Sequence, residues 1–146
     1  MASAIQHSES AEHVAIASDG DLVAVRKQVR LMAVEIGFGI TDVTRIVTAA
    51  SELARNILRF ADHGHMTLKC LDSSNGPGLE LIFTDQGPGI EDLEQAFGEG
   101  FTTGGGLGLG LPGTRRLMDE MDVQTESGKG TIIRIAKWLK KRSHAA

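Results

Sequence analysis

Gly104-Gly105-Gly106-Leu107-Gly108-Leu109-Gly110-Leu111 stands directly before a helix-forming stretch, and the reading of this run decides the fold. A helix start presents free N–H groups and a positive dipole end, and glycines let phosphates approach both. A floppy linker is the plain alternative. Against it, the leucines are regularly interleaved, and an amphipathic helix, Leu109 to about Met121, follows at once. Gly108-Leu-Gly110-Leu-Pro-Gly113 also fits G-x-G-x-x-G, but it follows no buried strand of a βαβ unit and sits late in the chain, so a dinucleotide fold is rejected. The chain holds no G-x-x-x-x-G-K-[ST], because Lys129 is followed by Gly130, and it lacks the H-R-D and D-F-G elements of ordinary protein kinases.

Upstream, the strand predicted at Leu79–Asp85 runs straight into Gln86-Gly87-Pro88-Gly89-Ile90. A carboxylate at a strand end beside two glycines offers a fixed acceptor next to backbone that a flat ligand can approach closely. Asp85 there can accept a hydrogen bond from an exocyclic amine such as adenine's. A plain turn accounts for the same residue types. Between the two glycine clusters, Glu91 to Thr103 reads as a lid over phosphates, with a short helical piece near Leu93–Phe97. Phe101, Thr102 and Thr103 are the residues there with most to offer a ligand.

Further upstream, a helix is expected from about Thr41 to Ala61. At 100° per residue, Ile46, Val47, Ala50, Leu53, Ala54 and Ile57 form one stripe that faces a core. Glu52 and Asn56 lie one turn apart on the other side, with Arg45 and Arg59. A solvated face with an intrahelical Glu–Arg pair is the ordinary explanation of an isolated Glu-x-x-x-Asn. The sharper one is a ligand face, since a carboxylate and a carboxamide one turn apart can share a hydrated magnesium ion.

The rest frames one domain. Strands are expected at His13–Ala17 and Met66–Leu71, with a turn at 75–78. A helix capped by Ser18 or Asp19 runs to a stop near Gly37 and Gly39, and Asp122–Glu126, the Ser127–Gly130 turn and Thr131–Trp138 close a hairpin. Strands beside grouped helices give an α+β two-layer sandwich, with helices on one face of a mixed, mainly antiparallel sheet. The 146 residues suit a single domain over 1–146, with loose termini at 1–10 and 140–146. A net charge of -4 without a basic stripe argues against nucleic acid, and no apolar stretch reaches membrane length. No signal peptide is read at the start, and lone Cys70 forms no internal disulfide, so the cytoplasm is expected. Cys70 is expected as a buried apolar group in its strand. His63 and His65 lack a third ligand and read as solvated.

Taken in order, Glu52-Leu-Ala-Arg-Asn56, Asp85-Gln-Gly87-Pro-Gly89 and the Gly104–Gly110 run resemble the boxes of the Bergerat-fold (GHKL) ATPases, over roughly residues 45–135. The resemblance implies ATP and Mg2+ as cofactors. It makes Glu52 the general base, Asn56 the magnesium ligand and Asp85 the adenine reader, supported by Thr131. Gly87, Gly89, Thr102, Thr103, Gly104, Gly105, Gly106, Leu107, Gly108, Leu109 and Gly110 would complete the nucleotide site. SELARNI, DQGPGI, GFTTGGGLGLGLPGTRRLMDE and SGKGT are similar, more narrowly, to the RsbT-type serine/threonine switch kinases of the bacterial stressosome, with anti-sigma factor kinases nearby. Many anti-sigma kinases carry a basic residue and then a histidine after the asparagine. Here those places hold Arg59 and Phe60, which leans toward the switch-kinase branch.

That resemblance implies transfer of the ATP γ-phosphoryl group to a STAS-domain partner, followed by activation of a PP2C-type phosphatase. An anti-sigma factor whose kinase activity controls release is the first alternative, and a nucleotide-gated binding module without catalysis the second. A histidine kinase is disfavoured because no helical phosphoacceptor region precedes the ATP-binding part.

Overall fold

The computed structural model describes residues 11–90 and 110–140. Strand β1 (Glu12–Ile16) leads into helices α1 (Asp19–Ile36) and α2 (Ile40–Asn56). A π-helical turn (Ile57–Ala61) joins α2 to strands β2 (Gly64–Leu71) and β3 (Gly78–Asp85). Helix α3 (Gly110–Leu117) precedes the hairpin of β4 (Glu120–Glu126) and β5 (Gly130–Trp138).

The five strands form one sheet in the order β1-β2-β3-β5-β4. A mixed sheet was expected in part, but all the described pairings are antiparallel, because every neighbouring pair reverses through a turn or a helical excursion. The strands alternate as half-buried strands do. Met66, Leu68, Leu79, Leu81, Phe83, Ile133 and Ile135 face the helices and are buried. Val25, Val29 and Ala33 of α1, and Ile46, Val47, Ala50, Leu53 and Ala54 of α2, close on them from one side. The α+β two-layer expectation therefore holds. The outer face is polar: Arg134 of β5 binds Glu80 of β3 at 2.5 Å and Glu120 and Asp122 of β4 at 3.0 and 3.2 Å.

Helix ends follow local chemistry. The Asp21 carboxylate accepts the backbone N–H groups of Ala17 and Ser18, which start α1. Gly37 ends it at φ 116, donating to the carbonyls of Ala33 and Val34. Several boundaries differ from expectation; β2, for one, begins at Gly64 rather than Met66. The α-helix expected through Ala61 stops at Asn56, and its last turn widens to π geometry. Helix α3 ends at Leu117 rather than Met121, because Asp119 already donates its N–H to Ala136 of β5. For the same reason β4 begins at Glu120, not Asp122. Cys70 is half-buried rather than buried; burial, then Asp72 and Glu35, push its thiol pKa up. The lid expected at Glu91–Thr103 and its short helix lie outside the described residues. No helix among the described residues is long and apolar enough to cross a membrane.

Candidate functional site

Buried Leu53, Ala54 and Ile57 anchor the last turns of α2 in the core, which leaves Glu52 and Asn56 half-buried on its other side. Arg55 Nη1 donates to Glu52 Oε2 at 2.6 Å and orients that carboxylate. One residue earlier, buried Ser51 donates to the Val47 carbonyl and accepts from Arg26 Nε of α1 at 3.0 Å. Arg26 and Ser51 were missed from sequence. A serine inside an apolar helix stripe was the available signal, since such a residue needs a bonding partner. The Asn56 carboxamide makes no hydrogen bond to a described residue. Arg45, on the same side, pairs with Asp42 at 3.0 Å, and the Arg59 guanidinium lies 5.8 Å over the ring of half-exposed Phe60.

Asp85 closes β3, opposite Gly64 of β2 and Thr131 of β5. Its Oδ1 accepts the Gly87 N–H at 2.9 Å, and its Oδ2 makes no hydrogen bond to a described residue. The neighbouring glycines have packing reasons. A Cβ on Gly87 would stand 2.6 Å from Cβ of Ala61 in the π turn, and one on Gly89, at φ 81, would stand 2.5 Å from the Glu126 carbonyl. Gly64 draws the pieces together, because a Cβ there would lie 3.1 Å from both Asp85 Cβ and Ile57 Cγ2. The end of the Glu52–Asn56 helix and the strand-end aspartate thus converge on one glycine.

The Asp85–Ile90 loop is riveted to the β4–β5 turn. Gly128 donates its N–H to the Pro88 carbonyl at 2.7 Å, and Ile90 donates its N–H to Thr125 Oγ1 at 2.8 Å. Thr125 Oγ1 lies 3.0 Å from Thr131 Oγ1. Buried Thr131 stands opposite Asp85 in the strand ladder, and its described hydroxyl bond goes to Thr125 rather than to the carboxylate. Thr125, like Arg26 and Ser51, is a residue that the sequence did not reveal. Gly110 opens α3 at φ 71, its carbonyl accepts the Thr114 hydroxyl, and buried Leu111 and Thr114 seat the helix. The remaining predicted residues, Thr102, Thr103, Gly104, Gly105, Gly106, Leu107, Gly108 and Leu109, lie outside the described residues.

These groups suit Mg-ATP. A half-buried carboxylate oxygen without a described partner fits an adenine amine. An oxygen-bearing carboxamide fits the coordination sphere of a hard ion that keeps waters and phosphate ligands. No group of three or more His, Cys, Asp and Glu among the described residues could hold a metal without such help.

Known proteins share the sequence pattern and the fold. The family described as histidine kinase-, DNA gyrase B-, and HSP90-like ATPase matches residues 41–142. The chain belongs to that family. A serine/threonine-protein kinase, RsbT of Bacillus subtilis (strain 168), is 46% identical over 127 residues, 87% of this chain and 96% of that protein. An anti-sigma F factor of Thermoanaerobacter sp. (strain X514) is 33% identical over 123 residues, 78% of this chain and 82% of its own. The crystal structure of the RsbU and RsbW domains of a Mycobacterium tuberculosis protein superposes with a TM-score of 0.65 at 18% identity, over 93% of this chain and 34% of that one, and shares the fold. Within its family the chain sits with the RsbT-type kinases, which makes it an ATP-dependent serine/threonine protein kinase.

Proposed function

We propose that this single domain binds Mg-ATP between the end of α2 and the glycine loops and phosphorylates a serine or threonine of a STAS-domain partner in a partner-switching pathway of the cytoplasm. The observation that carries the site is the convergence of the Glu52–Asn56 helix end and Asp85 on Gly64. Asp85 Oδ2 receives the adenine amine. Asn56 contributes its oxygen to the magnesium sphere, and bound magnesium would neutralise charge on the phosphates. Glu52, held by Arg55, aligns the acceptor hydroxyl and takes its proton. The N–H groups that open α3 and the Gly104–Gly110 backbone spread the phosphoryl charge. Phosphorylation of the partner releases the kinase to activate a PP2C-type phosphatase.

Labelled ATP incubated with the protein and each STAS protein of its source tests this reading. An acid-stable phosphate on the partner supports it. ATP hydrolysis with no protein acceptor replaces it with an ATPase or a nucleotide-gated module. Glu52→Ala should still bind Mg-ATP yet lose transfer by about 10²–10⁴-fold, the usual contribution of a positioned base; normal transfer by this variant removes Glu52 from the chemistry. The anti-sigma F factor similarity favours a second reading, an anti-sigma factor with kinase activity. Co-purification with a sigma factor rather than with STAS proteins decides for it.

A further inference from the structure

Lys137 occupies a position where the pattern of β5 calls for an apolar residue. It follows Ile133 and Ile135 on the face that meets the helices, and only 8% of its surface is exposed. Lysine is almost never buried unless paired. Its Nζ donates to the Leu117 carbonyl at 2.9 Å and lies 3.9 Å from a carboxylate oxygen of both Asp42 and Asp119. Leu117 closes α3, and Asp42 stands in the first turn of α2. A single ammonium therefore caps the carbonyl end of one helix, where a cation is favoured, and faces an acid that opens the other.

The two helices also pack against each other, so with the end of α3 at the start of α2 they run in opposite directions. With eight residues, α3 spans about 12 Å, so from Leu117 it reaches back alongside α2 toward the Glu52 turn. Its first residue, Gly110, continues the glycine run. We infer that Lys137 is a positioning residue for phosphoryl transfer, fixing at their far ends the two helices whose near ends supply the metal-and-base face and the phosphate-facing backbone. The inference rests on the ATP-site reading above. Nothing in the adenine half depends on Lys137, because Asp85, Gly87 and Thr131 are held by the sheet, the π turn and the β4–β5 turn.

Lys137→Met keeps the length of the stem and removes the charge. Calorimetry on this variant with ADP and with a nonhydrolysable ATP analogue, both with magnesium, separates positioning from stability. ADP affinity should stay within about twofold, while the ATP analogue binds about tenfold more weakly, within the range for a cation at a partly buried helix terminus. Partner phosphorylation should fall in kcat more than the ADP affinity falls. The ratio of the two affinities does not depend on the folded fraction, so a merely structural lysine leaves it unchanged, and that result overturns the inference. Should Lys137→Met fail to fold, Asp42→Asn decides: it keeps the cap on Leu117, loses the charge across to α2, and should shift the ratio the same way by a smaller factor. An unchanged ratio there overturns the inference as well. A parent protein whose nucleotide binding is indifferent to Asp85→Asn overturns the site reading itself, and this inference with it.

Discussion

At Gly87 the absence of a side chain serves the protein before it serves a ligand. A flat nucleotide can approach that backbone, but Ala61 of the π turn already does. Adding a Cβ must push the π turn away from the Asp85 loop, because both near atoms belong to compact groups that cannot rotate aside. Gly87→Ala should destabilise the fold by about 1–3 kcal/mol, the range of overpacking, seen as a lower urea midpoint with an unchanged slope. An unaltered midpoint would mean the two segments are not in contact. Asn56 makes a different prediction, because its carboxamide bonds to no described residue and little stability hangs on it. Asn56→Ala should keep the parent melting temperature and lose affinity for Mg-ATP much more than for metal-free nucleotide. Equal losses with and without magnesium point instead to a direct phosphate contact. Asp85, Glu52 and Asn56 were legible because their types and order form boxes. Gly64 and Thr125 were not, since a glycine beside two histidines and a threonine in an alternating strand carry no local mark of the contacts that use them.

Helix α2 was legible along its apolar stripe, and every residue of that stripe is buried. Its end was not, because the π turn answers to tertiary contacts, with Ile57 against Gly64 and Ala61 against Gly87. Directly after it, His63 donates its N–H to the Ala61 carbonyl across Asp62, which adopts φ 74 and ψ -46. That is a γ-turn of the strained hand, where a non-glycine residue costs about 1–3 kcal/mol. The Asp62 side chain is 96% exposed and, among the described residues, reaches only His63, at 3.5 Å. Asp62→Gly should therefore stabilise the protein by about 1 kcal/mol after the entropy cost of glycine, and a lower urea midpoint would refute the strain. The β4–β5 hairpin carries a pH dependence. The Trp138 indole N–H and the Arg134 guanidinium both donate to Glu120 and hold its carboxyl below the usual carboxylate range. A carboxyl depressed in the folded state stabilises the protein above its unfolded value and loses that contribution as pH falls through the folded one. Parent stability should therefore fall on acidification below about pH 4.5, and Glu120→Gln should show a shallower fall over that window. Parallel melting curves of the two proteins from neutral to acidic pH check this.

Across the whole molecule, the proposed adenine half joins parts that lie far apart in the chain: the end of α2 and its π turn, the end of β3, and the turn between β4 and β5. Each is fastened to the next by backbone. Gly87 rests on Ala61, Pro88 accepts from Gly128, and Asp85 and Thr131 share the central ladder. Fraying one edge therefore does not dismantle the surroundings of Asp85; the sheet and the helix layer must part together. Binding to the folded state alone adds about 2.7 kcal/mol of stability at a hundred times the dissociation constant. For a domain of this size each kcal/mol raises the melting temperature by about 2–4 °C, so saturating ADP should raise it by about 5–10 °C. Asp85→Asn keeps an oxygen for the Gly87 N–H, and so should fold like the parent, but it presents an amide where the adenine amine needs an acceptor. A hydrogen bond to a charged group contributes about 1.5–3 kcal/mol, so the variant should bind ADP and ATP about ten- to a hundredfold more weakly and lose most of the shift at the same ADP concentration. Differential scanning calorimetry with and without ADP reads both effects. A parent that melts at the same temperature with and without ADP has no nucleotide site of this kind, and a variant that keeps the full shift moves adenine recognition away from Asp85.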